Sequence, residues 1–372
     1  MHIVLLGNTS RGLVNFWSVL MESLRAAGCR VTVFAPAGDA DADDAIRDAG
    51  AALHHYPLDR KGLNPVRDMA TLTVLHRLFR REKPDMLFCY TIKPVIYGCL
   101  AARLAGVRRR FAAITGLGYM FEADSAIKKV LMKLASLLYR LALLGASAVF
   151  FQNREDKEVF EEAGIVTPAH RVELTRGTGV DTARFAPAPL PAGPPIFLLV
   201  GRLLEAKGLY EYAEAARMLK ARHPKARFQL LGPAEQGFGA VPLESVQNWE
   251  REGILEYLGE TRDVRPYLAA ASVIVLPSWR EGTPCAVMEG MSMGRPAVVT
   301  DAPGCREVVF NCINGYVAPL REPQALAEAM ERLILHPEDI ISMGAASRRI
   351  AMEKFDARKA AAHIMGVMGL CS

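Results

Sequence analysis

The sequence predicts an α/β protein built from two Rossmann-like, doubly wound parallel sheets. Its 372 residues are more than one domain usually holds. Continuous apolar runs alternate with helical patterns along both halves, as buried parallel strands and crossover helices do. Between the halves, segment 186–195 (APAPLPAGPP) contains five prolines and can form neither a helix nor a central strand. We therefore expect residues 1–185 and 186–352 to form two domains that face each other across a cleft.

Each element of this prediction rests on a short pattern. The strand patterns of the first half are continuous apolar runs at 3–7, 31–35, 86–90, 110–114 and 148–152, with a helical pattern over 14–27. The second half repeats the alternation, with strand patterns at 196–201, 228–232, 272–277 and 296–300 and helical patterns at 208–222 and 285–293. A final helix over 356–368 has few elements to pack against in its own domain. We therefore expect residues 353–372 to return to the N-terminal domain.

Composition excludes several classes of protein. Hydrophobic residues make up 51% and charged residues 23%, which excludes disordered and fibrous proteins. The net charge of +5 comes without a basic motif, so no nucleic-acid partner is expected. Residues 1–185 carry 25 basic and 19 acidic side chains and hold the whole positive excess. The first half is therefore the one expected to face an anionic partner.

The cysteines and the apolar segments predict a cytoplasmic protein. Seven cysteines form no C-x-x-C pair, which is typical of a reducing compartment and not of a disulfide scaffold or a zinc site. The first residues, MHIVLLGN, lack the charged region of a signal peptide. The sequence contains no run of 18 uncharged apolar residues, so no transmembrane span is expected.

Two glycine-containing turns follow strand patterns in the first half. The turn GNTSRG at 7–12 is not G-x-G-x-x-G, and no acidic residue ends the second strand, so a dinucleotide site is not expected. It is either a plain strand-to-helix turn or a contact to a phosphate or donor through Gly7. In GLGYMF at 116–121, Gly118 would let the backbone approach a ligand closely.

Two motifs of the second half predict a site for a hydroxyl-rich diphosphate ligand. The loop GRLLEAKG places Gly201, Arg202 and Lys207 after a strand, where cations and N–H groups can bind a diphosphate. Charge counting alone favours a solvated loop there. The segment WREGTPCAVMEGMSMGRP changes that balance, because Glu281 lies before a helix and Glu289 on its first turns. Carboxylates suit sugar and ribose hydroxyls, since each accepts two or more hydrogen bonds.

No metal site is expected. The histidines are scattered, apart from the adjacent pair His54 and His55, and no D-x-D motif lies in a strand context. A metal-dependent mechanism is therefore disfavoured. Arg202, Lys207 and a helix N-terminus would balance the charge of a leaving group instead.

The segment 125–145 leaves two interpretations open. An apolar stripe runs along its helical projection, and Lys129, Lys133 and Arg140 lie along one flank. It is either an interfacial helix at an anionic membrane or a buried crossover helix with cations at its edge. The run Arg108, Arg109 and Arg110 could add to the same basic surface.

Taken together, the motifs resemble those of a known family. The set GRLLEAKG, YLGETRDV, VLPSWREGTPCAVMEGMSMGRPAVVTDAPGCREVV and NGYVAP resembles the retaining GT-B glycosyltransferases of the family-4 group. YTIKPVIYG, ITGLGYMF and FFQNREDKEVF resemble the subgroup that extends lipid-linked oligosaccharides in bacteria. The resemblance implies metal-independent, retaining transfer of a hexose or N-acetylhexosamine from a UDP-sugar to a polyprenyl-diphosphate-linked sugar. The enzyme would bind peripherally at the anionic inner face of the cytoplasmic membrane.

The resemblance also implies roles for individual residues. Arg202 and Lys207 would bind the donor diphosphate, Glu281 the transferred sugar and Glu289 the ribose. Backbone amides at the helix start would complete the phosphate site, over Gly282, Thr283, Pro284, Cys285 and Ala286. Gly7 and Gly118 would approach the donor from the first domain.

This chain departs from the family at one position. Many members carry a histidine after the fourth strand, where this chain reads YTIKP, and Lys93 is the substitute we expect. Two alternatives to a transferase stay open at this point: a UDP-sugar 2-epimerase-like isomerase and a non-catalytic nucleotide-sugar binder.

Overall fold

The computed structural model describes residues 1–60, 62, 64–117 and 126–370, with side chains from residue 130 onward in the helix that begins at Ala126. Gly118 and the side chain of Lys129 lie outside this description, so the roles expected of them stay predictions. The chain divides into two compact units. The first comprises Met1–Thr178 and the residues from Ala357 onward, and the second comprises Gly179–Asp356.

The first unit contains a seven-stranded parallel sheet in the order β3-β2-β1-β4-β5-β6-β7. Its strands are β1 (His2–Leu6), β2 (Arg30–Ala35), β3 (Ala52–His55), β4 (Met86–Tyr90), β5 (Arg109–Ile114), β6 (Ala148–Phe151) and β7 (Val172–Leu174). Its helices before the second unit are α1 (Ser10–Ala26), α2 (Ala40–Asp48), α3 (Pro65–Glu82), α4 (Ile92–Leu104), α5 (Ala126–Leu143) and α6 (Arg154–Glu162). Ile3 and Leu5 pack into one apolar core and Val4 and Leu6 into the other. The sheet is thus covered on both faces, which explains its continuous apolar strands.

The second unit contains a six-stranded parallel sheet in the order β10-β9-β8-β11-β12-β13. Its strands are β8 (Ile196–Val200), β9 (Arg227–Leu231), β10 (Glu256–Tyr257), β11 (Val273–Leu276), β12 (Ala297–Thr300) and β13 (Gly315–Ala318). Its helices are α7 (Leu209–Arg222), α8 (Leu243–Arg251), α9 (Arg265–Ala270), α10 (Cys285–Ser292), α11 (Cys305–Val308), α12 (Pro323–Leu335) and α13 (Pro337–Lys354). The predicted α/β class with two parallel sheets is confirmed.

The proline-rich segment 186–195 belongs to the second unit and packs against it. The Arg295 side chain is 1% exposed, and its guanidinium donates to the carbonyl oxygens of Ala188 (2.9 Å) and Pro189 (2.8 Å). The same group donates to Leu268 at 3.1 Å and to Ala269 at 2.8 Å. Buried Arg295 therefore holds the segment in place against the second unit.

The chain returns to the first unit through α14 (Ala357–Val367). Its apolar side chains, among them Ala361 and Ile364, join the core that contains Leu13 and Leu24 of α1. The Arg109 guanidinium donates to the Met368 carbonyl oxygen just beyond this helix. The first unit is thus assembled from two separate stretches of the sequence.

Candidate active site

The two motifs of the second half meet where the strand order of its sheet reverses. Strands β8 and β11 are neighbours, and Leu198 is in register with Ile274. Both strands end at the same edge, so the loop that follows β8 and the loop that follows β11 lie side by side. In open α/β sheets this reversal at the carboxyl ends of the strands is where ligands bind. The sheet order therefore makes this edge the candidate site.

Close backbone contacts hold the two loops together. Gly208 has φ of +71°, and a Cβ atom there would collide with the Pro277 carbonyl oxygen. The Trp279 amide donates to the Ala206 carbonyl oxygen at 2.9 Å, and its indole Nε1 donates to Glu211 at 2.8 Å. Glycine is therefore required at position 208 for the loops to approach this closely.

Lys207 and Glu281 are brought together at this edge. The Lys207 ammonium forms an ion pair with Glu281 Oε1, and the Ser278 hydroxyl donates to the same oxygen at 2.7 Å. The side chains of Lys207 and Glu281 are 22% and 14% exposed, so the pair is only partly hydrated. Charge-assisted hydrogen bonds of this kind are strong and well oriented. The site thus presents a cation and a carboxylate side by side. Sequence reasoning missed Ser278.

Arg202 also follows β8, but its side chain pairs with Glu235 and not with Glu281. Its Nη1 atom lies 3.2 Å from Glu235 Oε1, and half of the side chain is exposed. Glu235 comes from the loop after β9, and sequence reasoning missed it. The available signal was a glycine-rich loop, LGPAEQG, directly after a strand pattern.

The start of α10 supplies fewer amides than the sequence suggested. Pro284 precedes the helix and has no N–H group, so it cannot donate to a phosphate. No side chain caps this end of the helix. Amides of Thr283, Cys285 and Ala286 remain the candidates, and the helix dipole favours an anion here.

Glu289 lies in a different environment from Glu281. It is half-buried on α10, and burial raises the pKa of its carboxyl to about 8, although Arg184 acts in the opposite direction. Titratable groups shifted this far are often functional. The two glutamates are therefore distinct: one is ion-paired, and the other is held largely protonated at neutral pH. Sequence reasoning missed Arg184.

Glu289→Gln is expected to change how stability depends on pH. The folded carboxyl has a pKa of about 8, above the ordinary 4.5, so the folded state binds its proton more tightly than the unfolded state. Stability is therefore lost as the pH rises from about 4.5 to 8. Glutamine mimics the protonated acid, so the melting temperatures should agree near pH 4, below the ordinary pKa of 4.5. Near pH 8.5 the variant should melt higher by about 3 °C or more. If the melting temperatures of the two proteins differ by the same amount at every pH, the pKa of the folded carboxyl is not raised.

The sheet of the first unit reverses its order between β1 and β4, where Gly7 and Thr91 follow the strands. A Cβ atom at Gly7 would collide with the Tyr90 hydroxyl, so glycine is needed there for packing. The Gly7 carbonyl oxygen accepts a hydrogen bond from Tyr56 at 2.7 Å. These contacts favour the plain-turn interpretation, and the donor contact expected of Gly7 stays a prediction.

Lys93 is engaged by the first turn of α3. Its ammonium lies 2.6 Å from Asp68 Oδ1 and donates to the Gly62 carbonyl oxygen at 2.7 Å. The side chain is 14% exposed. Lys93, which we expect to replace the family histidine, is therefore already paired with Asp68. Its catalytic role stays a prediction.

The arginine run is not the basic surface that we expected. Arg110 is 5% exposed and donates to the carbonyl oxygens of Val107 and Gly145, both at 2.7 Å. Arg109 is half-buried and donates to Met368. Arg108 alone of the three is exposed. Arg110 is therefore buried by the turns around β5 and cannot contact a membrane surface, whereas the membrane roles expected of Arg108 and Arg109 stay predictions.

The α5 helix exposes much of its predicted apolar stripe. Val130, Leu134, Leu137 and Leu141 are 45–65% exposed. Lys133 and Arg140 are exposed as well, and Arg140 also donates to the Ala163 carbonyl oxygen. This pattern favours the interfacial alternative over a fully buried crossover helix. Within the described ranges, no helix is long and apolar enough to cross a membrane.

Two family models match the sequence, one in each unit. The model described as "Glycosyl transferase 4-like domain" matches residues 11–178, and the one described as "Glycosyl transferases group 1" matches residues 194–336. Together they cover most of the chain.

Individual proteins are similar over long stretches. The N,N'-diacetylbacillosaminyl-diphospho-undecaprenol alpha-1,3-N-acetylgalactosaminyltransferase of Campylobacter jejuni is 27% identical over 90% of this chain and 89% of its own length. The UDP-Gal:alpha-D-GlcNAc-diphosphoundecaprenol alpha-1,3-galactosyltransferase of Escherichia coli is 28% identical over 78% of this chain and 76% of its own.

A solved structure has the same fold. HepE from Anabaena, in complex with UDP-glucose, superposes with a TM-score of 0.80 at 18% identity, and all of both chains is covered. With a glycosyl transferase 4-like domain in the first unit and a group 1 domain in the second, the chain belongs to the GT-B glycosyltransferases of the family-4 group.

Proposed function

We propose that this glycosyltransferase moves a hexose or N-acetylhexosamine from a UDP-sugar to a sugar on a polyprenyl diphosphate. The observation that carries the proposal is the pairing of Lys207 with Glu281 at the edge where β8 and β11 end. This edge offers a cation for a diphosphate beside a carboxylate for sugar hydroxyls. A nucleotide sugar needs both groups, a cation at its diphosphate and a hydrogen-bond acceptor at its sugar hydroxyls.

On the donor side, Lys207 and Arg202 would bind the diphosphate. An ammonium has three donors, so Lys207 can keep its bond to Glu281 while it contacts a phosphate oxygen. Ser278 would hold the Glu281 carboxylate in position for the hydroxyls of the sugar. Glu289 would bind the ribose hydroxyls, accepting through its carbonyl oxygen and donating through its O–H while it is protonated.

The charge that develops on the departing diphosphate can be met without a metal. Lys207, Arg202 and the N-terminus of α10 place positive charge at one edge of the sheet. Among the described residues, no group of three or more metal-ligating side chains comes together. We propose a metal-independent reaction in which the diphosphate leaves and the acceptor attacks from the same face. The diphosphate itself would accept the proton of the attacking hydroxyl.

The acceptor class and the retained configuration come from the named relatives. Both relatives act on sugars linked to undecaprenyl through a diphosphate and form alpha-1,3 bonds. The Escherichia coli relative uses UDP-Gal, in which the sugar is already alpha-linked, so its alpha product keeps the anomeric configuration. We extend this acceptor class and this stereochemistry to the present chain. The exposed surface of α5 would bring it to the anionic inner face of the cytoplasmic membrane.

A donor and acceptor screen tests the proposal. The purified chain is incubated with UDP-GlcNAc, UDP-GalNAc, UDP-Glc or GDP-Man and a short polyprenyl-diphosphate sugar. We expect UDP release that depends on the acceptor, an alpha-linked product by NMR, and undiminished turnover in EDTA. Epimerised free nucleotide sugar would instead identify an isomerase. Donor binding without UDP release would identify a non-catalytic binder, and complete loss in EDTA would show a metal mechanism.

A further inference from the structure

The first unit contains an apolar cavity that the donor site does not use. It has a volume of about 440 Å³ and lies among α3, α4 and α5. Leu72, Ile96, Leu134 and Leu138 contribute to its largely apolar wall. This volume is within the range of small-molecule binding sites. The cavity is therefore large enough to accept part of an apolar chain.

The cavity lies near the functional edge of the sheet. Its lining residues come from 65–72 of α3, 92–97 of α4 and 131–138 of α5, and α4 begins directly after β4. In a parallel α/β unit the helices start at the carboxyl ends of the strands, where ligands bind. A molecule in the cavity would thus have one end close to the edge of the sheet.

Charge is concentrated at one end of this apolar cavity. Arg60 lines it and is exposed, and the Lys93–Asp68 ion pair lines it beside the start of α4. Asp68 neutralises the charge of Lys93, so the exposed Arg60 guanidinium is the positive charge that can bind an anionic group. A ligand with an anionic head and an apolar tail matches this arrangement.

We propose that the cavity binds the first isoprene units of the polyprenyl chain, with the acceptor diphosphate at Arg60. The inference rests on the acceptor class proposed above and adds a specific subsite to it. The α5 helix would then serve both the membrane surface and the acceptor lipid.

Two leucines of α5 provide a matched pair of variants. Leu134 and Leu137 are each 52% exposed, and Leu134 lines the cavity whereas Leu137 does not. A carboxylate at either position adds the same charge to the same helix at an equally exposed side chain. Any difference between L134E and L137E therefore reports on the cavity and not on general membrane attraction.

The test measures direct binding of farnesyl diphosphate to the full chain by equilibrium dialysis, with inorganic diphosphate as the comparison. We expect the isoprenoid to bind at least about tenfold more tightly than diphosphate alone. L134E should weaken it about tenfold or more, because burial of even two methylene-sized groups is worth that factor. L137E should bind like the wild type, and UDP affinity should be unchanged in both. Equal losses in the two variants, or equal affinity for farnesyl diphosphate and diphosphate, would overturn the proposal.

The binding measurement uses no sugar donor, so the two proposals can fail separately. If farnesyl diphosphate binds as expected and no donor is consumed with any lipid-linked acceptor, the cavity assignment stands and the proposed transfer reaction is wrong. If transfer occurs and L134E and L137E have the same KM for the acceptor, the reaction stands and the cavity assignment is wrong.

Discussion

Replacing Lys207 with alanine is expected to lower kcat by about 10²-fold or more, the usual effect of removing one group that stabilises charge in a transition state. Lys207 lies at the switch between β8 and β11 and pairs with Glu281, so its ammonium is fixed before the donor arrives. UDP release in the presence of acceptor gives the rate. The exposed Lys225 provides the matched control, and K225A should retain wild-type turnover.

Nucleotide binding separates the role of Lys207 from those of the two glutamates. E289A should weaken the binding of UDP itself, whereas E281A should spare UDP and lose the added affinity that the sugar gives. An unchanged rate in K207A would remove Lys207 from the diphosphate site. Equal loss of UDP affinity in both glutamate variants would show that the division between sugar and ribose is wrong.

Reversing the charge of Lys129, Lys133 and Arg140 to glutamate is expected to abolish binding to anionic vesicles. Each cation near such a surface contributes about 1 kcal/mol, so loss of three contacts weakens binding by about 10²-fold or more. Cosedimentation with phosphatidylserine vesicles at low and high salt measures the effect, and wild-type binding should fall as salt rises. Activity on a water-soluble short-chain acceptor should be nearly unchanged.

The control for this triple variant lies in the second unit. Lys225, Arg251 and Arg349 are exposed there, and their reversal to glutamate changes the net charge equally. We expect that variant to bind vesicles almost as the wild type does. Persistent binding of the α5 variant would place the membrane surface elsewhere on the chain.

The central strands could be predicted from the sequence because burial on both faces leaves a continuous apolar run. The edge strands could not. β3 reads ALHH and β10 consists of Glu256–Tyr257, and neither has an apolar pattern because an edge strand has fewer neighbours to pack against. The proximity of Lys207 and Glu281 could be predicted from the alternation of strands and helices, since both residues lie in loops at the carboxyl ends of parallel strands.

The direction and burial of individual side chains depended on contacts distant in sequence. Arg110 reads as one of three solvated arginines, yet carbonyl groups around residue 145 bind its guanidinium and draw it into the protein. Arg202 pairs with Glu235 from another loop. Burial raises the pKa of Glu289 to about 8, and no sequence motif reports that burial. Local patterns therefore located the site but did not determine its internal bonding.

The return of α14 to the first unit affects the order in which the protein can fold during translation. The helix completes the core around α1, but its residues emerge from the ribosome only after all of Gly179–Asp356 has been made. At typical synthesis rates of about 5–20 residues per second, the α1 face stays uncovered for roughly ten seconds or more. The second unit, whose chain is continuous, can finish folding first. The nascent first half therefore exposes an apolar surface that chaperones can bind until its last helix arrives.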